Sequence, residues 1–177
     1  MEQAPFDLKN GSTEQIIRYY ADMVYRLAFA RTGSKYDADD IFQEVFLRYV
    51  RSHPSFTSEE HRKAWLLRVT VNCSHKFFYA FRRTKEQELT EAPPATPFSE
   101  EDTSMYEQLL KLPPKYREVI HLFYYEDLSA EEISRMLNRK YSTVRTQLTR
   151  ARALLRDFLE EEKHAQRMES QRKLQRR

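Results

Sequence analysis

The sequence contains few of the residues on which small cross-linked or irregular folds depend. It has only 2 glycines among 177 residues and a single cysteine, Cys73. One cysteine cannot form an intrachain disulfide, and no Cys/His pair repeats at the spacing of a zinc site. Because there is no run of about 18 uncharged apolar residues and no secretory signal pattern at the amino terminus, we expect no membrane insertion. We therefore expect a cytoplasmic protein without a metal or other cofactor.

The charge of the chain is small overall, but it is unevenly distributed. Residues 1–83 carry 13 basic and 10 acidic side chains, and residues 113–177 carry 15 basic and 10 acidic ones. Between them, residues 84–112 carry 2 basic and 7 acidic side chains. Two mildly basic blocks around an acidic connector are typical of a two-module protein that binds polyanions.

Apolar residues recur at helical spacing through most of the chain, which predicts an all-α fold of two small helical domains. Capping boxes at Ser12, Thr57 and Ser129 mark three helix starts. The predicted helices cover about 12–31, 36–51, 58–83, 116–125, 129–137 and 142–161. Regular structure is also expected to resume at about 105 and to break at Pro113-Pro114. The predicted domains are 1–83 and 105–161, joined by a flexible acidic linker with prolines at 84–104 and followed by a frayed or disordered basic tail at 162–177.

A short helix, a four-residue connector and a longer helix near the carboxy terminus form a helix-turn-helix pattern. On the longer helix, apolar residues such as Val144 and Leu148 alternate with a face of hydroxyl, amide and arginine side chains. Such groups can bond base edges and phosphates in the major groove of DNA. A solvated basic face on an ordinary core helix would explain the arginines alone.

Two segments of this module, LPPKYREV at 112–119 and STVRTQLTRAR at 142–152, resemble region 4 of extracytoplasmic-function sigma factors, a subfamily of the sigma-70 family. In that family the module binds the −35 promoter element as duplex DNA. The family connector usually contains glycine and proline, whereas this chain has LNRKYS at 137–142. Asn138 can still adopt the left-handed turn conformation, and Arg139 and Lys140 are candidates for phosphate contacts. The predicted −35 contacts are Thr143, Arg145, Thr146, Thr149 and Arg150.

The segment ADDIFQEVFLR at 38–48 resembles the region 2 helix that binds the clamp helices of core RNA polymerase. An acidic edge beside exposed apolar side chains suits a charge-complementary, partly apolar partner. An amphipathic core helix with a solvated acidic edge is the simpler alternative. The predicted polymerase contacts are Asp39, Asp40, Phe42, Gln43, Glu44 and Leu47, with Phe42 and Leu47 exposed.

The segment WLLRVTVN at 65–72 resembles the helix that captures the −10 element as single-stranded DNA. Strand opening needs pockets for unstacked bases and nearby positive charge for phosphates. In the family the loop at 56–62 captures a flipped base, and Asn72 suits a base edge; we expect Trp65 to be a core residue. The predicted −10 contacts are Phe56, Arg62, Lys63, Arg68, Val69, Asn72 and Lys76.

The resemblance implies a sigma factor that directs bacterial core RNA polymerase to promoters, helps to open the −10 region and is commonly silenced by a cognate anti-sigma factor. The alternative is a conventional helix-turn-helix regulator that binds duplex DNA as a dimer without docking on polymerase. We expect no catalytic residues, since the sequence has no phosphate loop, metal-ligand cluster or nucleophile motif. A magnesium site at Asp39, Asp40 and Glu44 is a weaker interpretation than an exposed acidic edge.

Overall fold

The computed structural model describes residues 11–83 and 109–175, and every regular element within these ranges is an α-helix. This confirms the prediction of an all-α fold. The chain divides into two compact units, Met1–Ala92 and Pro93–Arg177. The predicted linker at 84–104 lies outside the described residues.

The amino-terminal unit is a bundle of three helices, in which each helix packs on the other two. They are α1 (Thr13–Thr32), α2 (Lys35–Ser52) and α3 (Glu59–Arg83). Their helical-spaced apolar faces meet in one core, which removes these side chains from water and stabilises the bundle. The largest buried side chains of this core include Leu27, Phe29, Ile41, Leu66 and Leu67.

Side-chain caps and one glycine fix the ends of these helices. The Gln15 N–H donates to Ser12 Oγ at 3.3 Å and the Ser12 N–H donates to Gln15 Oε1 at 2.8 Å, so the predicted capping box at Ser12 is present. Gly33 closes α1 in the left-handed conformation at φ 70°, where its N–H bonds to the Phe29 carbonyl at 2.8 Å.

The start of α3 differs from the sequence prediction by one residue. The His61 N–H donates to Ser58 Oγ at 3.2 Å, and the Arg62 N–H donates to the Ser58 carbonyl at 3.1 Å. Ser58 is therefore the N-cap, and Thr57 is not. The Thr57 hydroxyl is instead 3.3 Å from the His61 ring nitrogen, an interaction that the spacing of a capping box does not reveal.

The carboxy-terminal unit is built on α4 (Pro114–Tyr124), which packs on α5 (Ala130–Met136) and α6 (Tyr141–Gln175). The capping box at Ser129 is present, with the Glu132 N–H donating to Ser129 Oγ at 3.2 Å and the Ser129 N–H donating to Glu132 Oε2 at 2.8 Å. The buried apolar side chains are Leu109, Leu112, Val119, Ile120, Leu122, Ile133, Leu137, Val144, Leu148 and Ala151.

The last helix is longer than the sequence predicted. We expected α6 to end near residue 161 and to be followed by a frayed tail, whereas it continues to Gln175. Residues 161–175 are rich in Glu, Lys, Arg and Gln, which are good helix formers, and contain no glycine or proline. Local helix propensity therefore extends α6, although Met168 is 44% exposed and adds little to a core.

Candidate nucleic-acid interface

The connector between α5 and α6 adopts a well-defined turn without the glycine and proline of the family pattern. Asn138 has φ 51°, the left-handed conformation that the sequence predicted. Within the turn, the Arg139 N–H donates to the Ser134 carbonyl at 2.9 Å and the Leu137 N–H to the Ile133 carbonyl at 2.9 Å. The backbone thus supplies the turn geometry that a helix-turn-helix requires.

Arg139, one of the two candidates for a phosphate contact in the connector, is engaged with the interior of this unit. Its guanidinium forms an ion pair with Glu118, a completely buried residue of α4, and also donates to Gln147 Oε1 at 3.2 Å. An exposed arginine would have been free to meet DNA, but a buried carboxylate demands a charged partner. Of the two basic residues in the connector, only Lys140 is exposed.

The structure places all five predicted −35 residues on the exposed face of α6. Val144, Leu148 and Ala151 are buried on the opposite face, as the helical spacing predicted. The polar face is formed by the exposed residues Thr143, Arg145, Thr146, Thr149 and Arg150.

Hydrogen bonds along α6 define what two of these threonines offer to a ligand. The Thr146 hydroxyl donates to the Ser142 carbonyl at 2.9 Å, and the Thr149 hydroxyl donates to the Arg145 carbonyl at 3.0 Å. Each hydroxyl proton is therefore occupied by the helix itself. What remains is an oxygen that accepts hydrogen bonds and a methyl group, which together suit the amino and methyl groups of base edges.

Aromatic rings restrain two arginines on α6. Arg145 has its guanidinium carbon 5.8 Å from the centre of the Tyr141 ring. Arg152 lies 5.1 Å from the Phe123 ring centre, and its Nε donates to the Tyr124 hydroxyl at 2.9 Å. Such contacts reduce the side-chain freedom that binding would otherwise remove. Arg152 is thereby held against α4.

Sequence reasoning missed two residues beside this face, Lys115 and Tyr116, which lie in the first turn of α4. Together with residues of α6 they line a concave pocket of about 290 Å³. Lys115 Nζ is 4.9 Å from the centre of the Tyr116 ring. A lysine and a tyrosine directly after Pro113-Pro114 were visible in the sequence, but nothing local indicated that α6 would lie against them.

In the amino-terminal unit, the predicted polymerase contacts lie along α2 with different exposures. Asp40, Gln43 and Leu47 are exposed, and Leu47 has 42% of its surface in contact with solvent. Spacings of three and four residues place them on one face. Val50, which the sequence analysis did not include, is three residues further on and 40% exposed. Asp39 and Glu44 are half-buried, and Glu44 pairs with Arg48 at 2.7 Å.

The expectation that Phe42 is exposed is wrong. Phe42 is half-buried, with its ring centre 4.9 Å from that of Phe46 and 6.3 Å from that of Tyr25 on α1. Burial and the neighbouring Asp39 carboxylate raise the pKa of Tyr25 to about 12. The Phe42 ring contacts both Phe46 on its own helix and Tyr25 on α1, and it therefore joins α2 to α1.

The predicted −10 loop is held by a cluster of aromatic rings. Phe56 is half-buried and stacks on Tyr49 with a 5° angle between the rings and 6.3 Å between their centres. Trp65 meets Phe56 edge-on at 5.9 Å and is half-buried. The His61 ring lies 5.4 Å from that of Phe56. This packing fixes the loop between α2 and α3.

Arg62 is a buried residue that stabilises that loop. It is only 7% exposed, and its guanidinium pairs with Glu59 at 2.7 Å and lies 5.4 Å from the Phe56 ring centre. Glu59 also accepts a hydrogen bond from the Tyr20 hydroxyl at 2.7 Å, which connects α3 to α1. Burial, followed by this bond to Glu59, raises the pKa of Tyr20. The charged group of Arg62 thus interacts with residues inside the unit.

The other −10 candidates lie on α3, but not all on one face. Arg68 and Asn72 are exposed and four residues apart, and Val69 beside them is half-buried. Lys63 is also half-buried, but it precedes Asn72 by nine residues, which is two and a half helical turns. The structure therefore does not bring Lys63 to the face of Asn72. Lys76 belongs to α3, and its side chain lies outside the described residues.

Two properties of the described residues bear on other functions. Within residues 11–83 and 109–175, no group of three or more His, Cys, Asp or Glu side chains is arranged to hold a metal ion. In the same part of the chain, no helix is both long and apolar enough to cross a membrane.

Comparison with known proteins identifies both units. The family model described as Sigma-70 region 2 matches residues 16–85, and that described as Sigma-70, region 4 matches residues 103–155. The ECF RNA polymerase sigma factor SigW of Bacillus subtilis is 32% identical over 165 residues, covering 81% of this chain and 87% of SigW. The ECF RNA polymerase sigma factor SigE of Mycolicibacterium smegmatis is 33% identical over 159 residues, covering 84% of this chain and 62% of SigE.

Solved structures share the fold. The sigma factor RpoE of Bartonella quintana, crystallised with the anti-sigma factor NepR, matches with a TM-score of 0.64 at 20% identity, covering 83% of this chain and 96% of RpoE. CnrH, solved in complex with the cytosolic domain of CnrY, matches with a TM-score of 0.56 at 22% identity, covering 84% of this chain and 88% of CnrH. Since both region models match in order and SigW aligns along most of its length, the chain belongs to the sigma-70 family as an RNA polymerase sigma factor of the extracytoplasmic-function group.

Proposed function

We propose that this sigma factor directs bacterial core RNA polymerase to promoters whose −35 element is read by α6. The observation that carries the proposal is the polar face of α6, where all five predicted contacts are exposed opposite a buried apolar stripe. A helix with this arrangement, presented by a helix-turn-helix, fits the major groove of duplex DNA.

Within this face the residues have different chemistry. Arg145 lies in the first turns of α6, where base edges are reached, and its guanidinium can donate two hydrogen bonds to a guanine. Thr146 and Thr149 offer acceptor oxygens and methyl groups to neighbouring bases. Arg150 stands further along the helix and is suited to backbone phosphate. Thr143 is close enough to the helix start to contact either.

The proposed polymerase-binding surface is the exposed face of α2. Asp40 and Gln43 supply polar groups, and Leu47 with Val50 supplies an apolar strip of side chains that are 42% and 40% exposed. A mixed surface of this kind suits a partner with complementary charge around an apolar contact. Docking there would hold both units on the same promoter, which raises their effective concentration at the DNA.

The proposed −10 surface is centred on Arg68 and Asn72 of α3, beside the loop fixed by Phe56. The exposed Asn72 amide can both donate to and accept from an unpaired base, and Arg68 can neutralise a phosphate. The aromatic cluster around Phe56 gives the loop a rigid wall against which a flipped base can be bound. The −10 DNA is therefore bound as a single strand.

We further propose that a cognate anti-sigma factor regulates this protein in the cytoplasm. RpoE, which shares its fold, was solved with the anti-sigma factor NepR, and CnrH, which also shares it, was solved with the cytosolic domain of CnrY. Such a partner would act by competing with core polymerase for the protein. The role is one of recognition, and no catalytic step is assigned to the chain.

Run-off transcription by core polymerase on genomic promoter fragments tests this function. Specific transcripts should require the protein, disappear with an Asp40→Arg/Gln43→Ala variant, and persist with Asp22→Arg, a charge reversal at an exposed residue of α1. If nothing is transcribed and core polymerase does not bind, while the protein alone shifts duplex DNA as a dimer, a conventional helix-turn-helix regulator replaces the sigma factor.

A further inference from the structure

The pocket between the first turn of α4 and the exposed face of α6 has a lining suited to an anion. Its volume is about 290 Å³, and α4 contributes Lys115 and Tyr116. The lining contains two cations, a phenol, three hydroxyls and an amide, and none of these described residues carries a carboxylate. The residues contributed by α6 are Ser142, Thr143, Thr146, Gln147 and Arg150.

The two cations, Lys115 and Arg150, line the pocket together with Tyr116. Hydrogen bonding by Arg150 to the phenolic oxygen, helped by the charge of Lys115, lowers the pKa of Tyr116. Lys115 Nζ also lies 4.9 Å from the centre of that ring. Two like charges gathered around a single phenol repel each other. An anion placed between them would relieve that repulsion. On a basic face whose charges are scattered and solvated, there would be no such repulsion to relieve.

The neutral groups of the pocket can also donate hydrogen bonds. The amide oxygen of Gln147 accepts from Arg139 at 3.2 Å, so its NH₂ group is the part left to interact with a ligand. The Tyr116 hydroxyl can also donate a hydrogen bond to a ligand. The exposed hydroxyls of Ser142 and Thr143 add two further donors at the rim.

The start of α4 reinforces the positive character of the pocket. The N-cap is Pro113, which makes no capping hydrogen bond through its side chain, and Pro114 occupies the first helical position. The first turn contains no acidic residue. No acidic side chain of the first turn therefore offsets the partial positive charge of the helix start.

We propose that this pocket binds one phosphodiester group of the duplex that α6 reads, with Lys115, Tyr116 and Arg150 as its ligands. The inference rests on the proposed −35 function of α6. Thr143, Thr146 and Arg150 belong both to the pocket lining and to the base-reading face. When a duplex binds α6, its sugar-phosphate backbone therefore passes the pocket. The contact between the pocket and one phosphate fixes the position of α6 along the major groove.

Neutral phosphate analogues test the proposal on the complete protein in complex with core polymerase. A promoter duplex is prepared with single methylphosphonates at successive positions in and beside the −35 element, and binding of the wild type is compared with Lys115→Gln. On the unmodified promoter Lys115→Gln should bind about tenfold more weakly, the loss expected for one charge-assisted hydrogen bond. The slope of log affinity against log salt should fall by about one.

At one phosphonate position the wild type should lose the same factor, and Lys115→Gln should lose nothing further, because the two changes remove the same contact. Lys111→Gln, the same substitution at an exposed lysine outside the pocket, should bind like the wild type at every position. Tyr116→Phe, which keeps the ring and removes the hydroxyl, should give a smaller loss at the same phosphate.

Two results would overturn the proposal, and they are distinguishable. If Lys115→Gln loses the same factor on every modified duplex while Arg145→Ala still abolishes −35-dependent binding, the pocket holds no phosphate and the −35 function stands. If Arg145→Ala also leaves binding unchanged, α6 does not read the −35 element, and the pocket proposal fails with it.

Discussion

Arg139, in the turn between α5 and α6, forms an ion pair with Glu118, whose side chain is completely buried in α4. The side chain of Arg139 is itself only 23% exposed and donates in addition to Gln147 on α6. One guanidinium therefore joins the turn to both α4 and α6. This explains how a connector without glycine or proline still holds α6 in a defined orientation.

Replacing Arg139 should destabilise the carboxy-terminal unit. Arg139→Met removes the ion pair of a buried carboxylate, and we expect a loss of about 3 kcal/mol in the free energy of unfolding. Urea unfolding of the full chain measures it. The double variant Arg139→Met/Glu118→Leu should recover most of the loss, since it also removes the buried charge. Lys140→Met, the matched change at the exposed neighbour, should have little effect; an equal loss there would contradict the assignment.

The capping box at Ser129 makes stability depend on pH. Hydrogen bonds from the Ser129 side chain and backbone lower the pKa of Glu132. A carboxyl group whose pKa is lowered by folding stabilises the protein above its unfolded pKa, and this contribution disappears as the pH falls through the folded pKa.

Ser129→Ala should therefore lower the stability of the unit by about 1 kcal/mol at neutral pH, the usual worth of an N-cap. It should also reduce the pH dependence of unfolding below pH 5. Glu132→Gln keeps an oxygen that accepts from the Ser129 N–H but cannot titrate. It should retain more stability than Ser129→Ala at pH 7 and show the flatter pH profile; a profile as steep as that of the wild type would exclude Glu132 as its source.

Two arginines that the sequence predicted as −10 contacts should differ in what their substitution changes, either stability or the salt dependence of DNA binding. Arg62→Met removes the ion pair with Glu59 inside the unit, so we expect a loss of about 2 kcal/mol in stability and little change in the salt dependence of DNA binding. Arg68→Met changes an exposed residue, so stability should be unaffected while the salt slope falls by about one. The measurements are urea unfolding and binding of the polymerase complex to a promoter with an unpaired −10 strand. If Arg68→Met instead lowered stability and Arg62→Met lowered the salt slope, Arg62 would be the DNA contact and Arg68 the structural residue.

The sequence predicted the features that local interactions determine. The capping boxes at Ser12 and Ser129, the left-handed conformation of Asn138 and the buried stripe of α6 all depend on residues a few positions apart. The inward arrangements of Phe42 and Arg139 depend on partners on other helices, Tyr25 and Glu118. A single sequence gives no sign of which arginine will meet a buried carboxylate 21 residues away. The same reason hid Lys115 and Tyr116, whose importance appears only when α6 packs beside α4.

The final prediction separates packing from partner binding on α2. Phe42→Ala removes a ring that packs on Phe46 and Tyr25, so it should lower stability by about 2 kcal/mol and weaken polymerase binding only as far as the fold is lost. Leu47→Glu changes a side chain that is 42% exposed, so it should leave the unfolding midpoint unchanged and abolish binding to core polymerase.

Val50→Glu should behave like Leu47→Glu, because both side chains belong to the same exposed strip. Tyr19→Ser on α1, where the side chain is 58% exposed, is the control for loss of a large surface group and should bind normally. The readouts are thermal unfolding of the free protein and its co-elution with core polymerase. If Leu47→Glu and Val50→Glu still co-elute while Tyr19→Ser does not, the polymerase-binding surface lies on α1, and the acidic edge of α2 is an ordinary solvated helix face.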